Sequence, residues 1–183
     1  EYFAIMGMKD TDKVAARETY GSGPIQDFLR EIAARLKVWL VAGSIPLAGD
    51  HAMKVRNSCL ALSDAGEMVA RYDKIHLFEF ASVTEQYAES RTIEPGNQVV
   101  MFDTPFGKIG LSICYDLRFP ELYRAMHGAD IIFVPSAFTE TTGRAHWETL
   151  LRARAIENQC FIAAPAQGGK HPSGRETHGH SML

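Results

Sequence analysis

Cysteine is sparse in this chain: Cys59, Cys114 and Cys160 are the three it has among 183 residues, and no two form a Cys-x-x-Cys pair. An odd, scattered set of this kind suggests neither a disulfide framework nor a structural zinc site and makes reduced thiols the expectation. An excess of charge of one sign is also missing. Nineteen Lys and Arg stand against 22 Asp and Glu, a net charge of −3, so there is no basic field for a nucleic-acid backbone. Nor does any apolar run approach the roughly 20 residues of a membrane helix, and no charged-then-apolar leader opens the chain. These absences predict a cytoplasmic protein with neither nucleic acid nor membrane as partner. Repeats, low-complexity stretches and interdomain linkers are absent as well.

What is there is an ordinary globular composition, 46% hydrophobic and 22% charged, of a length that fits one domain over residues 1–183. The chain opens on Glu1 rather than Met and closes on Gly179-His180-Ser181-Met182-Leu183, where a strand is starting. This predicts a domain incomplete at both termini.

Pro24 suits a first helical turn, and Ile25, Phe28, Leu29, Ile32, Ala33 and Leu36 then recur at helical spacing, which predicts a helix with one buried face. Val38 to Ala42, ended by Gly43, reads as a central strand covered on both sides. Val55–Leu62 and Glu67–Tyr72 flank Asp64-Ala65-Gly66 as a hairpin, and a second hairpin brackets Thr104-Pro105-Phe106-Gly107. Pro120 to His127 reads as a short helix, Ile131 to Val134 as an apolar strand, Ala145 to Asn158 as a helix and Phe161 to Ala164 as a strand. Helices alternate with strands, yet hairpins interrupt them, so the expected class is α/β with mixed sheets.

The most informative segment is Ile113-Cys114-Tyr115-Asp116-Leu117, between the β-run Lys108–Ile113 and the helix at Pro120. A thiol on such a strand-to-helix turn is expected to project from the sheet edge toward solvent, facing the N–H groups that open the next helix. At a free pKa of about 8.5 it needs a base before it attacks carbon. None of the seven histidines stands in a setting that singles it out for this task. Lys74, in Tyr72-Asp73-Lys74-Ile75-His76-Leu77, lies just past a predicted strand among apolar residues.

Taken in order, Glu1-Tyr2-Phe3, Asp73-Lys74-Ile75-His76-Leu77 and Ser112-Ile113-Cys114-Tyr115-Asp116-Leu117-Arg118-Phe119-Pro120-Glu121 resemble the nitrilase superfamily of carbon–nitrogen hydrolases across essentially the whole chain. The resemblance implies a four-layer α-β-β-α sandwich and a catalytic triad of Glu1, Lys74 and Cys114. A supporting glutamate best matches Glu89 in Tyr87-Ala88-Glu89-Ser90, with Glu85 a weaker competitor. In this scheme Glu1 is the general base, while Lys74 and the Tyr115 N–H stabilise the oxyanion. The superfamily needs no metal or cofactor, and the spacing of His171, His178 and His180 suits no common metal site. The partners implied are a small-molecule amide and, through helices near the nucleophile, a second copy of the chain in a homodimer.

Thr142-Gly143-Arg144-Ala145-His146-Trp147 and Ala166-Gln167-Gly168-Gly169 resemble the Nit branch, and within it the deaminated-glutathione amidases more than the omega-amidases. Both types cleave an amide beside an acidic group, so candidate substrate-binding residues are Arg118, Thr139, Thr142 and Arg175, with Arg118 foremost for its place after the nucleophile. Arg152 and Arg154 are expected in structural ion pairs or dimer contacts, Trp147 in the core, and Cys59 and Cys160 as inert packing residues on strands.

Overall fold

The Asp64-Ala65-Gly66 turn closes a hairpin in the computed structural model of the protein, which describes residues 1–81 and 86–183. That hairpin lies in the first of two compact units, Tyr2–Gln98; the second comprises Val99–Leu183 together with Glu1. Along the first unit run α1 (Asp12–Ala15), α2 (Pro24–Leu36), β1 (Leu40–Val41), β2 (Ile45–Ala48), β3 (Val55–Leu62), β4 (Met68–Asp73), β5 (Glu79–Ala81), β6 (Gln86–Ala88) and a 3-10 turn at Glu89–Arg91. β3 is the spine of an antiparallel four-stranded sheet, with β4 along one edge and β1 and β2 along the other.

α2 forms where Pro24 predicts it. The Glu18 carboxylate, buried, accepts from the N–H groups of Ile25 and Gln26 at 2.5 and 3.2 Å, placing negative charge at the helix N-terminus where donors are unsatisfied. Leu29 and Ala33 then pack on Ala42, Ile45, Leu47, Leu60 and Leu62. The buried face is narrower than the apolar stripe, since Phe28 and Leu36 are 54% and 57% exposed. Val38–Ala42 is not a central strand. Lys37 ends α2 in a left-handed cap at φ 55° and Gly43 bends the chain again at φ 62°. Between the two bends the strand is two residues long, Leu40–Val41, both half-buried and paired with β3, and the Ala42 N–H donates to the Leu60 carbonyl of β3 at 2.9 Å.

In the second unit β7 (Val100–Thr104) and β8 (Gly107–Leu111) form the other predicted hairpin. A 3-10 turn at Cys114–Arg118, α3 (Pro120–Ala125), β9 (Ile131–Phe133), α4 (Glu140–Asn158), β10 (Phe161–Ala163), β11 (Gly168–Lys170) and β12 (Glu176–His178) follow. The sheet order is β10-β9-β8-β7, parallel through the first three strands and antiparallel at β7. This is the mixed sheet expected, and β8-α3-β9 is its β-α-β crossover. α4 begins five residues before Ala145, at Glu140, because the Thr139 hydroxyl accepts from the Thr142 N–H at 3.2 Å and caps the helix there. Cys160 falls in the bend between α4 and β10, not on a strand. Each unit thus carries one four-stranded sheet with helices, the α/β class with several sheets that the sequence predicts.

Gly96 ties the end of β4 to the following chain by donating its N–H to the Lys74 carbonyl at 2.8 Å. A Cβ at this position would press into the Asp73 backbone carbonyl, which cannot rotate away as a side-chain tip can. Gly96→Ala is expected to cost about 2 kcal/mol, lowering Tm by about 4–8 °C in a thermal melt followed by circular dichroism. An unchanged Tm would contradict the close approach.

Candidate active site

The segment after β8 leaves the sheet through an unusual backbone. Cys114 adopts φ 49°, a left-handed conformation that costs a non-glycine residue about 1 kcal/mol or more. Surrounding hydrogen bonds offset this cost. The Cys114 N–H donates to the Pro135 carbonyl at 3.0 Å, and the Asp116 carboxylate accepts from the Ile113 N–H at 2.9 Å. Ile113, Asp116 and Leu117 are fully buried. The sharp turn is present as expected, but the thiol does not project into solvent: Cys114 is 6% exposed. Cys114 opens a 3-10 turn, Cys114–Arg118, and the next helix begins only at Pro120. Tyr115, half-buried, packs edge-on against Phe119 with centroids 5.4 Å apart.

Lys74 stands one residue past β4, where its N–H donates to the Asn57 carbonyl at 2.9 Å. It is buried, and its ammonium lies 2.8 Å from Glu89 Oε2. The same carboxylate oxygen accepts from the Phe78 N–H at 2.7 Å, while the Glu89 N–H donates to the Phe78 carbonyl at 3.1 Å. Glu89 therefore clips the 74–78 segment to its own turn at three points. The pairing of Glu89 with Lys74 is a finding of the structure that the sequence reading did not specify; Glu85 lies outside the described residues. Glu1 is buried too, in the unit that contains Cys114.

Arg118 ends the Cys114 turn with its guanidinium 5.4 Å from the Phe138 ring centroid and 5.9 Å from that of Tyr115. Its terminal nitrogens lie 3.3 Å from His146 Nδ1, and among the described residues no carboxylate pairs with it. Thr139 and Thr142 sit together at the start of α4 with their hydroxyls 2.9 Å apart, engaged in the helix cap. Arg175 donates to the Ala137 carbonyl at 2.6 Å. Trp147 is core, tilted against Phe138 and donating to the His180 carbonyl at 2.7 Å. Of the C-terminal histidines, His171 bonds Thr177, and His178 meets Glu140 and stacks on His180. Arg152 makes a surface pair with Glu148. Arg154 is buried, pairs with Glu157 and donates twice to the Leu117 carbonyl. That second attachment, to the nucleophile turn itself, is not visible in helical spacing.

A mixed-sheet α/β chain with a cysteine on a left-handed strand-to-helix turn and a buried Lys–Glu pair has the parts of a thiol hydrolase. The carbon–nitrogen hydrolase family profile matches residues 3–183, and the chain belongs to that family. Its sequence is 48% identical over 170 residues to the deaminated glutathione amidase of Yersinia enterocolitica, covering 90% of this chain and 59% of that protein; the chain thus spans somewhat over half the length of that relative. Among solved structures it is similar to the Caenorhabditis elegans NitFhit protein, with a TM-score of 0.81 and 40% identity over 94% of this chain and 42% of that one. It is also similar to an amidase from Nesterenkonia whose active-site cysteine carries added acrylamide, with a TM-score of 0.78 and 26% identity over 96% of this chain and 66% of the other. Among the described residues no helix is long and apolar enough to cross a membrane.

Two outcomes are expected from this geometry. Glu89→Ala removes the carboxylate that a buried ammonium faces and is expected to destabilise the fold by about 3 kcal/mol, with Glu89→Gln milder because it still accepts hydrogen bonds; denaturant melts of both check this. Burial pushes the Cys59 thiol up to about 12. A raised pKa means that its contribution to stability is intact below the ordinary thiol value and falls as pH rises toward that figure. Native protein at pH 8 should therefore show Cys59 unmodified by iodoacetamide, with full labelling only after unfolding, as read by peptide mass spectrometry.

Proposed function

We propose that the protein is a thiol amidase that hydrolyses an amide of a small, carboxylate-bearing substrate resembling deaminated glutathione and releases the amine half of that bond, which is ammonia only where the amide is unsubstituted. The observation that carries this reading is the left-handed backbone of Cys114 at the head of its turn, a strain that folds retain where a side chain must be aimed. Support comes from the withdrawal of the three expected catalytic groups from water, with Glu1 at 5%, Lys74 at 1% and Cys114 at 6% exposure. The family membership and the Yersinia relative point the same way.

In the proposed course Glu1 takes the proton of Cys114 as its sulfur adds to the amide carbonyl. The oxyanion is stabilised by the Lys74 ammonium and the Tyr115 N–H, donors whose individual removal costs enzymes about 2.7–4 kcal/mol. Glu1 returns the proton to the amine, the C–N bond breaks, and the amine product leaves a thioester on Cys114. Water activated by Glu1 then cleaves the thioester and regenerates the thiol. Glu89 holds the Lys74 ammonium in place at 2.8 Å.

Arg118 supports the acidic-substrate part of the reading. It follows the nucleophile by one turn, lies on two aromatic faces and has no carboxylate partner among the described residues. Its planar fork suits a substrate carboxylate.

Formation of 2-oxoglutarate, the acid that deaminated glutathione and 2-oxoglutaramate both yield on hydrolysis, tests the proposal. Turnover of the first is expected to exceed that of the second and to vanish in Cys114→Ser. Wild-type rates in that variant would refute the thioester route, and preference for 2-oxoglutaramate would move the protein to the omega-amidase type.

A further inference from the structure

The Leu117 carbonyl is the acceptor that the nucleophile turn would use to continue. In a 3-10 turn it would bond the N–H of the third residue on, but that residue is Pro120, which has no N–H to give. Arg154, from the middle of α4, takes the place of the missing donor. Its Nε and Nη2 donate to Leu117 O at 3.0 and 2.9 Å. The guanidinium is held from its other end by Glu157, 2.9 Å from Nη1, and lies 5.3 Å from the Tyr123 ring centroid. Tyr123 is fully buried, and burial raises its phenol far above the ordinary value; its oxygen is 2.9 Å from the Ser112 hydroxyl, which donates to the Phe133 carbonyl at 2.9 Å.

α4 therefore reaches both ends of the turn. Through Arg154 it holds the Leu117 carbonyl near the end of the turn, and through the Arg154–Tyr123–Ser112 contacts it braces the strand end that leads in. Only a planar fork bonds one carbonyl with two donors and a carboxylate with a third, while its face rests on an aromatic ring.

We propose that Arg154 is a positioning residue for Cys114: acting through the Leu117 carbonyl, it holds the turn in the register that aims the thiol and the neighbouring N–H groups. The kinetic part of this proposal rests on the amidase reading; the alkylation part does not.

The test compares Arg154→Met, Arg154→Lys and, as control, Arg152→Met on the exposed side of the same helix. Each protein is followed by 2-oxoglutarate formation from deaminated glutathione and by the pH profile of Cys114 alkylation with iodoacetamide, quantified on the Cys114 peptide. In Arg154→Met, kcat is expected to fall about 100-fold, the size of a small misplacement of reacting atoms, with KM within about twofold and the alkylation profile displaced. Arg154→Lys, with charge but no fork, should recover part of kcat, and Arg152→Met should match wild type. A folded Arg154→Met with wild-type kcat and alkylation profile overturns the proposal, as does a loss confined to KM. If Arg154→Met does not fold, Arg154→Lys decides: a wild-type profile and kcat refute positioning, and a displaced profile upholds it. A wild-type protein that hydrolyses no amide tested, yet shows the profile displaced in Arg154→Lys, refutes the amidase reading and leaves the positioning intact.

Discussion

The constraint on which the second unit depends is the left-handed backbone at Cys114. An L-residue does not take φ 49° by preference, so the surrounding chain must hold it there. The Pro135 carbonyl holds the Cys114 N–H, the Asp116 carboxylate holds the Ile113 N–H, and Arg154 holds the Leu117 carbonyl. These anchors come from the segment after β9, from the turn itself and from α4. The parallel pairing of β8 with β9 brings the first within reach, and the packing of α4 brings the last. The crossover topology and the nucleophile turn are thus one arrangement: to move either strand is to release the strain.

The first unit follows a different logic. It buries a lysine, Lys74, whose loss of hydration must be offset by an opposite charge and hydrogen bonds. Glu89 keeps the ammonium favourable and does so with an oxygen that also accepts from the Phe78 N–H. One carboxylate oxygen therefore serves as counter-charge and as backbone clip. Such a pair contributes little net stability, but once formed it is costly to break, because either partner alone is a buried charge. The geometry of Lys74 is defined by this cost.

Much of this was legible in sequence because the signals were local. The two hairpins follow from turn residues between β-rich runs, α2 from a proline start and helical spacing, and the nucleophile turn from a cysteine between an apolar strand and Pro120. Other expectations failed for reasons that local pattern does not hold. Val38–Ala42 reads as a buried strand by composition, yet the left-handed cap at Lys37 and the bend at Gly43 leave it two paired residues. The projecting thiol was a property of an isolated elbow; in the fold Cys114 is buried.

By itself the sequence determined the α/β class, the order of the Glu, Lys and Cys motifs and the family they resemble, since each depends on spacing along one chain. Only the tertiary structure decided that Glu89 is the partner of Lys74, that Cys114 is enclosed, and that Arg154 serves the Leu117 carbonyl. The reason is physical. Arg152 and Arg154 are two residues apart on one helix with the same side chain and the same local propensity. What separates them is the environment that folding places around each: Arg152 faces water and Glu148, whereas Arg154 meets a carbonyl that Pro120 has left without its backbone donor.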